Sequence, residues 1–155
     1  MMKPAYLLIA VSIAVVFLGC GPSGPVPINY GADQCANCRM NIVDNRFGAE
    51  TITANSKVYK FDSIECMTAF NMNLEKSSEH VGSLWVTDFY KPETLISLPS
   101  AKLIRTKGVR SPMGLGFAAV STDDDMQKFT AEYGGELLNW GQITKIVTES
   151  WSSGH

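Results

Sequence analysis

Apolar and polar positions change their period several times along this chain, and the changes mark its elements. Residues 6–18 form one apolar run behind a single cation, Lys3. The run is too short to span a bilayer as a helix but has the length of a signal-peptide core. Gly21-Pro22-Ser23-Gly24-Pro25-Val26-Pro27 has no period, and its prolines and glycines continue neither a helix nor a ladder, so it reads as a tether. From Arg46 the pattern turns to strand. Residues 47–54 are small and β-branched, Asn55-Ser56 makes a tight turn, and 57–61 alternate polar and apolar, which predicts a hairpin. Asp62-Ser63 then reads as a helix start, with Ile64, Met67, Phe70 and Leu74 at helical spacing over 64–74. Cys66 falls in the first turn, where the helix dipole is expected to lower a thiol pKa.

The second half repeats this plan. Residues 84–89, 95–98, 101–105 and 115–120 are strand candidates, with a loop at 108–114. Ser121-Thr122 caps a helix over 123–133 that opens on three acids and ends at Gly134-Gly135. A short strand at Leu137-Leu138 and an amphipathic helix over 139–148 close the chain. Strand, strand, helix occurs twice, so the expected fold class is α+β, built as two related ββα-type halves.

Composition narrows the function. The chain has 155 residues, 45% hydrophobic and 18% charged, which is ordinary for a globular domain. A formal net charge of −2 gives no electrostatic reason to bind nucleic acid. The apolar run ends at Phe17-Leu18-Gly19-Cys20, which resembles the lipobox of bacterial lipoproteins. That resemblance implies lipidation of Cys20 and an extracytoplasmic protein tethered to a membrane. The expected organisation is a lipoprotein signal peptide over 1–19, a lipidated tether over 20–29, a first ββα half over 30–82, a second over 83–150, and a tail over 151–155.

With Cys20 assigned to lipid, Cys35, Cys38 and Cys66 remain of the four cysteines. An odd number cannot close as intramolecular disulfides alone, so at least one sulfur is free, intermolecular or bound to something. Cys35-Ala36-Asn37-Cys38-Arg39-Met40 places two thiols and a thioether within six residues. Soft sulfur donors select a thiophilic metal, Cu(I) above all. An extended backbone would point the Cys38 and Met40 sulfurs to one face. A second thioether, Met113, sits in the Ser111-Pro112-Met113-Gly114 loop, where a packing role is a weaker explanation than in an element interior. Cys66 could be a third sulfur ligand, a disulfide partner or a buried structural thiol.

Taken together these segments resemble the NosL family, lipoproteins that act as copper chaperones for bacterial nitrous oxide reductase. The matching pieces are Cys20, Cys35-Ala-Asn-Cys38-Arg-Met40 with Ile42, Arg46-Phe-Gly-Ala-Glu50, Tyr59-Lys-Phe-Asp62 with Glu65-Cys66-Met67, Ser111-Pro-Met113-Gly114, and Tyr133-Gly-Gly135. The resemblance implies paired ββα units and no catalytic turnover. It also implies Cu(I) bound outside the cytoplasm and handed to apo nitrous oxide reductase for its copper–sulfide centre. Cys38, Met40 and Met113 stand at positions carried over as ligands, and Cys35 and Cys66 match further family positions. Relatives often have a histidine before the Gly-Gly pair, where this chain has Glu132-Tyr133, so no histidine ligand is carried over from there. A lipid anchor in the outer membrane follows from the same resemblance, and a copper-linked homodimer is compatible with it.

Two other classes fit part of the pattern. Cys35-x-x-Cys38 could serve a thiol–disulfide oxidoreductase, although it follows a tether rather than a strand-to-helix junction. It is also half of a zinc site, with Cys66 as a third ligand and no fourth apparent, as in a structural zinc lipoprotein that docks a partner.

Overall fold

The computed structural model describes residues 24–152; the lipobox and the first part of the tether lie outside the described residues. Seven strands and three helices run in the order β1 (Ala49–Thr53), β2 (Val58–Phe61), α1 (Ile64–Leu74), β3 (Val81–Thr87), β4 (Leu95–Ser97), β5 (Lys102–Arg105), β6 (Phe117–Val120), α2 (Asp123–Tyr133), β7 (Glu136–Leu138) and α3 (Trp140–Ser152). They make an antiparallel four-stranded sheet in the order β2-β1-β3-β4 and an antiparallel three-stranded sheet in the order β6-β5-β7. The α+β class and the two sheet-plus-helix halves are as expected. Each half contains one ββα unit, β1-β2-α1 and β5-β6-α2. β3 straddles the expected boundary at residue 82 and β4 lies past it, yet β3 pairs with β1, because that strand's second edge would otherwise carry unpaired backbone groups.

Local chemistry accounts for the helix ends. Ser63 adopts extended backbone and its hydroxyl accepts the Cys66 N–H at 3.2 Å, capping α1. Thr122 caps α2 by accepting the Asp125 N–H at 3.0 Å, and Gly134, with φ of 66°, ends the helix. Asn139 and Gln142 form a reciprocal capping box at the start of α3, with bonds of 2.8 and 2.9 Å. The final helix extends past the expected residue 148 to Ser152.

β1 is buried along its whole length, against the half-exposed alternation expected of a hairpin strand. α1 covers one face, where the Thr51 hydroxyl donates to Asn71 Oδ1 at 3.0 Å. The end of the tether covers the other. The Val26 N–H reaches Glu50 Oε1 at 2.9 Å, Lys60 Nζ donates to Pro27 O at 2.7 Å, and Ile28 is buried. Gly48 permits this approach: a Cβ there would fall 2.5 Å from the Tyr30 hydroxyl. From Val26 onward the expected tether is a strap laid on the sheet.

One apolar core serves both halves. Phe61, Ile64 and Met67 from the first pack in the same cluster as Leu103, Phe117, Leu138, Ile143 and Val147 from the second. The two sheets are stitched where the Phe89 N–H donates to Ala119 O at 2.8 Å and Ser121 Oγ donates to the buried Asp88 carboxylate at 2.6 Å. A second cluster, Phe47, Phe89 and Phe129 with Tyr90 and Tyr133, fills the space beside this joint with edge-on ring contacts.

Glu50 tests this packing. Burial raises its carboxyl above the usual carboxylate range, and its Oε2 has no partner. The folded protein therefore keeps this proton to higher pH than the unfolded chain, and folding stability falls as pH climbs above about 4.5, the unfolded value. Glu50→Gln retains an acceptor for Val26. It is expected to raise the melting temperature at neutral pH and to flatten its decline with pH, as thermal melts across that range would report.

Candidate metal centre

The segment around the first two cysteines is a knuckle. The Cys35 N–H donates to Met40 O at 2.8 Å, and the Arg39 N–H returns to Cys35 O at 2.9 Å. Arg39 takes the left-handed conformation, with φ of 66°, that turns the chain back. A further bond from the Ala36 N–H to Lys60 O, 2.8 Å, hangs the knuckle on β2. The backbone from Cys38 to Met40 is thus a turn, not the extended segment expected from its spacing.

This turn carries Cys35 and Cys38 to the junction of β2 and α1. Cys35 Sγ lies 3.4 Å from Asp62 Oδ1 and Cys38 Sγ 3.2 Å from Asp62 Oδ2. Asn37 donates its side-chain N–H to Cys66 Sγ at 3.6 Å. The ligand atoms of Cys35, Cys38, Asp62 and Cys66 all lie within 4.8 Å of one another, close enough to share one ion. All three thiols are free; Cys35 and Cys66 are buried and Cys38 is half-buried.

The protons in this cluster are unequally held. A hydrogen bond from Cys66 favours the Cys35 thiolate and, against the opposing effect of burial, brings its pKa down to about 6. The same bond, with burial, pushes Cys66 up, overturning the lowering expected from its place in the first helical turn. Burial is also the main reason that Cys38 is raised to about 11. The first proton to leave therefore comes from Cys35, with Ser63 Oγ remaining as a donor to Asp62 Oδ1 at 3.2 Å. A metal binding all three sulfurs would displace protons from the other two thiols, which couples its affinity to pH.

The two methionines lie differently. Met40 is 50% exposed. It lines a cleft of about 410 Å³ together with Val43, Asp62, Arg110, Ser111 and Pro112. Met113 is half-buried against the main core, at the next position of the loop whose Ser111 and Pro112 wall that cleft. The knuckle and the loop, some seventy residues apart in sequence, therefore flank one opening whose floor includes Asp62. Cys20 lies outside the described residues.

Two carboxylates escaped the sequence reading. Of the Asp62-Ser63 pair that marks the helix start, Ser63 makes the cap, and Asp62 joins the thiols. The available signal was an acid placed directly between a strand and a cysteine-bearing helix. Glu65, next to Cys66 on α1, is fully buried and accepts the Ser111 hydroxyl and the Leu115 N–H, the latter at 3.2 Å. Ser111 Oγ in turn accepts the Gly116 N–H at 2.9 Å. Glu65 thus ties the Met113 loop to the residue beside Cys66. Burial raises its pKa as well.

A family model for NosL matches residues 25–148, which is most of the chain and all of the arrangement just described. The chain belongs to the NosL family. The crystal structure of the copper chaperone NosL from Shewanella denitrificans superposes with a TM-score of 0.68 at 23% identity, covering 81% of this chain and 98% of that one. At that identity the likeness establishes the shared NosL fold. No curated protein matches.

Two measurements probe the site. In the reduced, metal-free domain, thiolate ultraviolet absorbance is expected to rise near pH 6 and to lose that step in Cys35→Ser. Glu65→Ala strands the buried Ser111 hydroxyl and the Leu115 N–H, and should lower stability in chemical denaturation by about 1–3 kcal/mol. Glu65→Gln, which keeps an acceptor, should cost less.

Proposed function

We propose that this NosL chain is an extracytoplasmic Cu(I) metallochaperone, lipidated at Cys20 and held at a bacterial membrane. In this reading it delivers copper for the copper–sulfide centre of nitrous oxide reductase. The observation that carries the metal assignment is the cluster of Cys35, Cys38 and Cys66 beside a cleft walled by Met40 and the Met113 loop. Thiolates and thioethers are soft ligands that suit Cu(I). Cys38 and Met40 sit towards solvent, so a recipient's ligand can enter while Cys35 and Cys66 still hold the ion from below. An ion shared between such a site and an incoming ligand can be passed on without being released to water. The absence of turnover is supported by family membership and by the copper chaperone named among the solved structures it resembles; the recipient and the outer-membrane location rest on the sequence resemblance alone.

Asp62 favours a second reading. With three thiols it completes four donors, the number that tetrahedral Zn(II) requires. A structural zinc lipoprotein that docks a partner would use those four and leave both methionines idle.

Competitive titrations of the reduced soluble domain with Cu(I) and with Zn(II) separate the two. The chaperone reading expects one tight Cu(I), weakened by about tenfold or more in Cys38→Ser and in Met113→Leu, since one lost ligand contributes on the scale of 1.4 kcal/mol or above. Asp62→Asn, which keeps one acceptor for the knuckle, should lower Cu(I) affinity less than either sulfur variant, because a carboxylate is a hard ligand. Tight Zn(II) binding that is lost in Asp62→Asn and insensitive to Met113→Leu would favour the zinc reading. Failure to bind Cu(I) tightly would end the chaperone reading.

A further inference from the structure

The surface around the Met40 cleft is unusual in both polarity and charge. Met40, 50% exposed, and Val43, 71% exposed, are two of the three exposed large hydrophobic residues among the described residues, and they line the same cleft with the exposed Pro112. A larger cleft of about 850 Å³ lies on the other side of the Met113 loop, lined by Gly114 and Leu115 and by the cations Arg105, Lys107 and Arg110. Arg110 lines both clefts, so the two adjoin at that residue.

The cations there are not paired with acids. Among the described residues, none of the three takes part in an ion pair, whereas six other cations do. Arg105 is held by a bond from its Nε to Leu115 O at 3.4 Å and lies over the Phe117 ring. Lys107 and Arg110 are exposed. Of the acids nearby, Glu136 lines the larger cleft opposite Arg105 on the neighbouring strand and offsets one of the three charges, Asp44 is engaged by Arg46 at 2.7 Å, and Asp62 faces the thiols. A chain of net charge −2 thus concentrates unpaired positive charge beside its candidate metal site.

We propose that this surface is the docking face for the protein that exchanges copper with this chain. That partner presents a carboxylate-bearing segment to Arg105, Lys107 and Arg110 and an apolar spot to Met40, Val43 and Pro112. The inference rests on the metallochaperone reading for its purpose, but not for its chemistry. An apolar centre with a charged flank is the anatomy of a transient protein interface. Opposite charges across it speed encounter and set the orientation that brings a recipient ligand over the sulfurs. Screening confines that attraction to about 8 Å at physiological salt, so a cation must stand next to the site to act on it, as Arg110 does in the cleft it shares with Met40 and Asp62.

The test uses a short fluorescein-labelled, glutamate-rich peptide as the probe and reads its binding by anisotropy at low and at physiological salt. Lys107→Glu/Arg110→Glu is compared with Lys128→Glu/Lys145→Glu, which makes the same change in net charge on α2 and α3. The first pair is expected to weaken the peptide by about tenfold and to abolish its salt dependence; the second should leave both nearly intact. Val43→Ser, at an exposed position that does not threaten folding, should weaken the binding of a peptide carrying a leucine among its glutamates and spare the all-polar one. Equal losses in the two charge pairs, or no salt-sensitive binding by the unaltered protein, would overturn the proposal. Cu(I) titration of every variant keeps the two readings apart. Peptide binding without tight Cu(I) would retire the chaperone role and leave the basic docking face standing. Unchanged Cu(I) affinity with peptide binding indifferent to the substitutions would do the reverse.

Discussion

The Asp62 carboxylate is the point on which the site depends. It stands between the last residue of β2 and the cap of α1, and its two oxygens meet the Cys35 and Cys38 thiols while the Ser63 hydroxyl donates to one of them. A buried carboxylate is costly unless its oxygens are satisfied, and here the satisfying groups are those a metal would use. The need to pair Asp62 therefore gathers the knuckle onto the strand–helix junction. The helix cap, with the Cys66 N–H on Ser63, places the third thiol against the first two.

A second buried acid extends the arrangement across the molecule. Glu65 belongs to the first ββα unit, but its partners Ser111 and Leu115 belong to the loop of the second. The bond between the halves thus lies one residue from Cys66 and two from Met113. The stitch at Asp88, Ser121 and Ala119 and the shared apolar core keep the two sheets from sliding, so the loop is held from both ends. Packed interiors transmit such constraints because they yield little to small displacements. The outcome is a cluster of thiols fixed from within the fold, with a methionine opening kept at its surface.

The protonation pattern follows from the same geometry. Three thiols and a carboxylate share too few protons and too little water to behave alike. The sulfur that receives a hydrogen bond, Cys35, ionises most readily, and the one that donates it, Cys66, resists. The half-buried Cys38 keeps its proton beside Asp62. One site therefore presents a preformed thiolate in the interior and a protonated thiol nearer the solvent. That order suits an ion that enters from outside and is drawn inward.

Much of this was legible in the chain itself, and for local reasons. α1 and α2 begin and end where Ser63, Thr122 and Gly134 say they should, because caps and left-handed glycines act within one turn. The paired ββα plan, the three uncommitted sulfurs and the family resemblance were equally open to reading, since residue type and short spacing carry them. What tertiary structure decided were the relations between distant segments. No period in the sequence shows that β3 returns to β1, that the tether's end straps the sheet through Glu50, or that Arg39 turns left-handed and folds the knuckle back. Nor does spacing reveal that Asp62 joins the thiols, or that Glu65 reaches across to Ser111. A carboxylate's role depends on which donors the fold brings to it, and those donors come from parts of the chain that meet only when the core closes.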